Sequence, residues 1–237
     1  METFKKNVYL FGDSIAKGIV FDEVLGKYTH LKNNFATSAA ASNGVILNNK
    51  SMFGCTINKG REIINRVLNN LNTGKKIDYA FLEFGGNDCD HNWDEISLQP
   101  LIKHNPKTPV DEFISVYIAI VDTLKKSGIP AVIMTLPPIA SDLYFNWISK
   151  NNPRKSNILS WLGGNIENIY YWHERYNSAV WEVINQTKSL MIDIRKSFLE
   201  DKNYKRFLCA DGIHLNQDGH NLVKETIMNN ALIYKPA

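Results

Sequence analysis

No apolar run in the sequence approaches the length that crosses a bilayer, so no integral membrane association is expected. Cysteine is scarce. Cys55, Cys89 and Cys209 are odd in number and include no close pair, which argues against a disulfide framework or a CxxC zinc site and suits a reducing compartment. No G-x-G-x-x-G or Walker-type loop occurs, so nothing supports nucleotide binding. Neither sign of charge dominates. The formal net charge is +3 and the lysines and arginines are scattered, which argues against a dedicated nucleic-acid surface. Internal repeats and low-complexity tracts are also missing. The opening Met1-Glu2-Thr3-Phe4-Lys5-Lys6 runs directly into the first apolar stretch and leaves no room for a signal peptide's core, so a cytoplasmic location is expected.

What is present describes an ordinary globular chain. Its 237 residues are 44% hydrophobic and 22% charged, which predicts one soluble domain, 1–237, with a well-buried core. Val8 to Phe11 have the β-branched, aromatic and apolar composition of a buried strand. Residues 21–42 carry few signals and are left unplaced. Val45-Ile46-Leu47 reads as a short strand. A helix opening at Thr56 places Ile64, Val67, Leu68 and Leu71 on one face and is expected to close at Gly74.

Ile77 to Phe84 is a third strand, apolar on both faces as buried parallel strands are. After a loop rich in His, Asn and Pro, a second amphipathic helix spans Val110 to Ser127, stopped by Gly128 and Pro130. Ala131 to Thr135 is the fourth strand, and 141–164 reads as irregular. Helix returns from Ile166 to Gln186, Leu190 to Ile194 is the fifth strand, and a last helix follows Leu215, capped by Asn216. Strands alternating with helices predict an α/β fold, a parallel sheet covered on both faces.

Three short stretches carry chemistry. In Gly12-Asp13-Ser14 the chain leaves the first strand, so Ser14 projects from the carboxyl edge of the sheet, where open α/β folds hold ligands. A hydroxyl there serves as a helix cap or as a nucleophile. Asp211 and His214 stand three apart before the final helix. If that loop turns, the carboxylate holds Nδ1–H of the imidazole and leaves Nε2 free to take a proton from a hydroxyl. Gly85-Gly86-Asn87 ends a strand, and Asn87 can point its amide at the edge that carries Ser14. With the backbone N–H groups of Gly54 and Ser14 it would make three donors to an oxyanion. Each stretch also has a bland reading: Gly-Gly-Asn is common in turns, and Gly54 suits a simple bend.

Taken together, Phe11-Gly12-Asp13-Ser14, Gly54-Cys55-Thr56, Gly85-Gly86-Asn87-Asp88 and Asp211-Gly212-Ile213-His214 resemble the four blocks of the SGNH (GDSL-type) hydrolases, in that family's order. The resemblance runs from Val8 to the final helix. It implies a flavodoxin-like three-layer α/β/α fold on a five-stranded parallel sheet. It also implies Ser14 as nucleophile, Asp211 and His214 completing a triad, and an oxyanion hole of Ser14, Gly54 and Asn87, with Gly60 the weaker candidate for the middle block. Ile15 stands where the family's name-giving motif has Leu. The implied activity is metal- and cofactor-independent hydrolysis of a small-molecule ester, such as an acetyl group on a carbohydrate. A lysophospholipase or thioesterase of the same family and a non-catalytic carbohydrate-binding module are the alternatives.

Other residues invite competing roles. Asp88, Asp90 and His91 could gather a metal, and Asp218 and His220 lie close to His214 in sequence. None has the spacing of a dedicated zinc site, and Asp88 is expected to shape the Asn87 turn. Cys55 and Cys89 adjoin the oxyanion candidates, where inert buried thiols are expected. His30, His104 and His173 have no recognisable partners. The aromatic-rich insertion around 141–172, with Tyr144, Phe145, Trp147, Trp161, Tyr170, Tyr171 and Trp172, covers the substrate or packs extra helix onto the domain, with a dimer interface as a lesser third reading.

Overall fold

A computed structural model describes residues 5–71, 76–151 and 153–230. Strand β1 (Asn7–Gly12) is paired in parallel with the edge strand β4 (Ile46–Asn49) on one side and β5 (Tyr79–Glu83) on the other. Beyond β5 come β6 (Ala131–Met134) and β7 (Leu190–Ile192), giving a five-stranded parallel sheet in the order β4-β1-β5-β6-β7. Successive side chains of a strand point to opposite faces. Tyr9, Phe11, Ala80, Leu82 and Ile133 therefore enter one core, while Val8, Leu10, Phe81, Val132 and Met134 enter the other.

Helices cover both faces. The first core is closed by α3 (Ile57–Asn69), α5 (Val110–Lys126) and α8 (Asn168–Thr187) through Ile64, Tyr117 and Val180. The second is closed by α2 (Phe35–Asn43), α9 (Ile194–Leu199) and α10 (Gln217–Asn229) through Phe35, Phe198 and Val223. Fully burying each such side chain contributes roughly 1.5–3 kcal/mol, so the two apolar layers hold the sheet. Helix α5 also matches its own dipole, with Asp111 and Glu112 in the first turn and Lys125 and Lys126 in the last.

The stretch left unplaced by sequence is ordered by tertiary contact. Ile19–Asp22 (β2) and Lys27–His30 (β3) form an antiparallel hairpin, and α2 follows with Asn34 as its cap, accepting from the N–H groups of Ala36 and Thr37. The irregular span contains two short helices, α6 (Ser141–Ser149) and α7 (Lys155–Trp161), and the His/Asn/Pro loop contains α4 (Trp93–Leu98). Helices this short are marginal alone. They form here around a third apolar cluster that includes Ile96, Tyr144, Phe145, Ile158 and Ile169. The fifth strand ends at Ile192, two residues early, because the Asp193 side chain caps α9. Helix α3 ends at Asn69, and its expected stop at Gly74 lies outside the described residues. Among the described residues no helix is long and apolar enough to cross a membrane.

Candidate active site

The connections leaving β1, β4, β5 and β6 share one edge of the sheet, and β1 sits where its neighbours run on to opposite sides. Ser14 opens the single-turn helix α1 (Ser14–Lys17), but it is not the cap: the Asp13 carboxylate accepts from Ile15 N–H at 2.9 Å and fills that role. This leaves the Ser14 hydroxyl for another partner. Its Oγ lies 2.9 Å from Nε2 of His214. The imidazole Nδ1 lies 2.6 Å from Oδ2 of Asp211, whose Oδ1 accepts from the backbone N–H groups of Ile213 and His214 at 3.1 and 3.0 Å. Burial pushes the Asp211 carboxyl up, but the hydrogen bond and charge of His214, with the two N–H donors, outweigh burial and hold it below its ordinary range. An ionised Asp211 fixes the tautomer that leaves Nε2 facing Ser14 as an acceptor.

Gly54 is carried to the same place by the chain that follows β4. The Met52 N–H bonds to the carbonyl of Gly12 at 3.1 Å, and Cys55 N–H closes a turn onto the Met52 carbonyl at 3.2 Å. Gly54 holds φ +70° in that turn, a conformation glycine adopts without strain, and lines the cavity with Ser14. Gly60, by contrast, belongs to α3. A Cβ there would fall 2.4 Å from the Phe84 ring, so its smallness serves helix–strand packing.

The Asn87 side chain lines the cavity and donates one N–H to Oδ2 of Asp13 at 2.9 Å. An amide carries two such hydrogens, and the second remains for a ligand. Beneath it lies a group that sequence reading passed over. Glu83, the last residue of β5, is 1% exposed and sits against Asp13, itself 2% exposed. Burial and the neighbouring Asp13 carboxylate drive the Glu83 carboxyl well above its ordinary range. A lone acid in the apolar run Ala80-Phe81-Leu82-Glu83-Phe84 was the available signal.

The competing candidates have structural duties. Both carboxylate oxygens of Asp88 accept from Ile57 N–H, at 2.9 and 3.1 Å, capping α3 where the Thr56 side chain does not. Asp90 accepts from Trp93 Nε1, Tyr144 Oη and Lys107 Nζ at 2.8, 2.7 and 2.7 Å. His91 packs among Trp93, Trp161 and Trp172. Among the described residues no group of three His, Cys, Asp or Glu side chains is placed to hold a metal. The thiols of Cys55, Cys89 and Cys209 are free, and burial raises all three, Cys55 to about 12 and Cys209 to about 11. They remain protonated and weakly nucleophilic. His220 stacks on Phe35, and its Nδ1 accepts from the Phe35 N–H at 3.4 Å, so it serves the fold rather than His214.

The aromatic segment divides its labour. Tyr144, Trp147 and Trp172 line the cavity, Phe145 belongs to the third apolar cluster, Trp161 packs on His91, and Tyr170 accepts from Arg195. Two rings from elsewhere join them: Tyr28 of the hairpin and Phe53 beside Gly54, with centroids 4.9 and 6.0 Å from the His214 ring. The cavity holds about 760 Å³ and extends from Ser14 and His214 to Asp90, Trp93 and Lys107.

The model of the GDSL-like lipase/acylhydrolase family matches residues 10–222. The chain belongs to that family. It is accordingly a hydrolase of the GDSL esterase group, with ester substrates and a three-layer α/β/α fold. Ile15 is buried in the second core, where an apolar side chain meets the same need as the family's Leu. No curated protein matches the sequence. Solved structures share the fold at low identity. A lipase/acylhydrolase from Enterococcus faecalis is 20% identical over 94% of this chain and 93% of its own, with a TM-score of 0.61. A lipolytic G-D-S-L protein from Veillonella parvula is 15% identical over 97% and 100%, with a TM-score of 0.66. The acetyl xylan esterase AlAXEase is 20% identical over 95% and 99%, with a TM-score of 0.61.

Proposed function

We propose that this GDSL-family enzyme is a single-domain serine esterase that removes short acyl groups from carbohydrates through an acyl-enzyme. The carrying observation is the unbroken chain from Asp211 through His214 to Ser14, with contacts of 2.6 and 2.9 Å. A serine hydroxyl is a weak nucleophile at neutral pH and needs an adjacent base. His214 takes its proton as Oγ attacks the acyl carbonyl. The backbone N–H groups of Ser14 and Gly54 and the free side-chain N–H of Asn87 receive the developing oxyanion. His214 then gives the proton to the leaving alcohol, and water, activated by the same imidazole, releases the acid.

Two features support a ring-bearing alcohol. Whatever leaves must stand within reach of His214 Nε2, and Tyr28 and Phe53 flank that ring. The same cavity is lined by Trp93, Trp147 and Trp172 together with Asp90, Asn92, Asp94 and Lys107. Apolar faces beside hydrogen-bonding groups suit a sugar, whereas a long acyl chain needs a continuous apolar groove. The likeness to AlAXEase agrees with this reading. The three free cysteines favour a cytoplasmic enzyme.

Rates on acetylated sugars and on 4-nitrophenyl esters from acetate to palmitate test the substrate class. Fast turnover of acetyl esters that falls with chain length is expected. A preference for palmitate would favour the lysophospholipase or thioesterase alternative.

A further inference from the structure

Four observations converge under the oxyanion donor Asn87. The side chains of Asp13 and Glu83 are within hydrogen-bonding contact and both are buried. Asp13 acts as an acceptor on both oxygens, taking Ile15 N–H on Oδ1 and Asn87 Nδ2–H on Oδ2, each at 2.9 Å. Glu83 Oε2 is buried and has no donor aimed at it. Finally, the chain leaves room for the pair. A Cβ on Gly12 would fall 3.1 Å from Glu83 Oε2, and one on Gly86 would fall 3.2 Å from Asp13 Oδ2.

Two carboxyl groups in contact away from water cannot both ionise, so one keeps its proton. The hydrogen-bond pattern says which. Both oxygens of Asp13 receive an N–H donor and are best as a carboxylate. The backbone N–H groups of Asp13 and Ala16 also face the Glu83 carboxyl, but its Oε2 receives none and is the oxygen best suited to carry the O–H. Burial and the adjoining Asp13 charge act in the same direction, holding Glu83 well above its ordinary range.

We propose that Glu83 is a positioning residue of the oxyanion hole: its carboxyl O–H donates to Asp13 and fixes the carboxylate that aims the Asn87 amide at the substrate carbonyl. This inference rests on the serine-esterase reading. Without the Glu83 donor the Asp13 carboxylate loses an anchor, and the Asn87 amide bonded to it gains freedom at the point where its direction matters most. Glutamine keeps a neutral donor of the same length, whereas methionine fills the volume and donates nothing.

The test is the steady-state kinetics of Glu83→Gln and Glu83→Met on 4-nitrophenyl acetate, each alone and combined with Asn87→Ala. Met should lower kcat about tenfold with KM unchanged, and Gln should bring kcat back to within about threefold of the native enzyme. Because Glu83 acts through Asn87, Met should cost less than about twofold when Asn87 is already Ala. Equal losses for Gln and Met, or a Met loss carried over in full into the Asn87→Ala background, would overturn the proposal. Should the Met variant not fold, infrared spectroscopy decides. The native enzyme at neutral pH should show a protonated-carboxyl C=O band that Glu83→Gln removes, and identical spectra would overturn the proposal. Labelling with a fluorophosphonate separates the two levels. A native enzyme that labels at Ser14 while Gln behaves as Met sinks the role of Glu83 alone, and a native enzyme that does not label sinks the serine-esterase reading with it.

Discussion

His214 Nε2 stands 2.9 Å from Ser14 Oγ, although 200 residues separate them in the chain. Two unrelated pieces of packing produce that approach. Ser14 is set by the end of β1 and the Asp13 cap. His214 is set by a loop pinned through the Cys209 N–H to its carbonyl at 2.7 Å and through Asp211.

Asp211→Asn should leave the loop folded, since a side-chain oxygen can still accept from Ile213 and His214, but it should reverse the imidazole tautomer. We expect kcat to fall by about 10³-fold or more with KM little changed. Steady-state kinetics on 4-nitrophenyl acetate check this, and a loss of less than tenfold would show that Asp211 only turns the chain.

In the proposed mechanism Asn87→Ala removes an oxyanion donor and should lower kcat by about 10²-fold. The Ser14 and Gly54 N–H groups remain, so activity should be reduced rather than abolished.

Phe53→Ala should raise KM for an acetylated sugar about fivefold while leaving kcat nearly unchanged, since one ring face is worth about 1 kcal/mol. Ethyl acetate, whose alcohol has no ring, should be hydrolysed with an unaltered KM. An equal effect on both esters would place Phe53 outside the alcohol subsite.

Acid should weaken the fold through its buried histidines. Burial holds His220 neutral down to about 4 and His173 down to about 3, both below the ordinary 6.5. The unfolded chain takes up these protons first, so their contribution is complete above about 6.5 and is lost as pH falls toward 4. For His220 this amounts to about 3 kcal/mol. Thermal unfolding midpoints should drop over that window, and His220→Gln should flatten the drop.

Much of this architecture could be read in the sequence, and the exceptions have physical causes. Strands β1, β5 and β6 are buried on both faces, so near-continuous apolar runs betray them. The Ser14 and Asn87 motifs were visible because glycines and polar residues interrupt the β1 and β5 runs at their ends. The β2–β3 hairpin was not: its strands are four residues long and partly exposed, and Phe21 and Tyr28 are held by the ring of Trp147, far along the chain. Locally Ser14 reads as a cap or a nucleophile, the four blocks together favour the nucleophile, and the cap belongs to its neighbour Asp13. Glu83 escaped notice because its role depends on Asp13 across the β1–β5 ladder, which no local pattern encodes.

The most direct measurement is to map a fluorophosphonate adduct by mass spectrometry in the native enzyme and in Ser14→Ala. The account predicts one adduct, on the peptide that carries Ser14, with labelling and esterase turnover both lost in Ser14→Ala. An adduct at another residue, or undiminished turnover by Ser14→Ala, would contradict it.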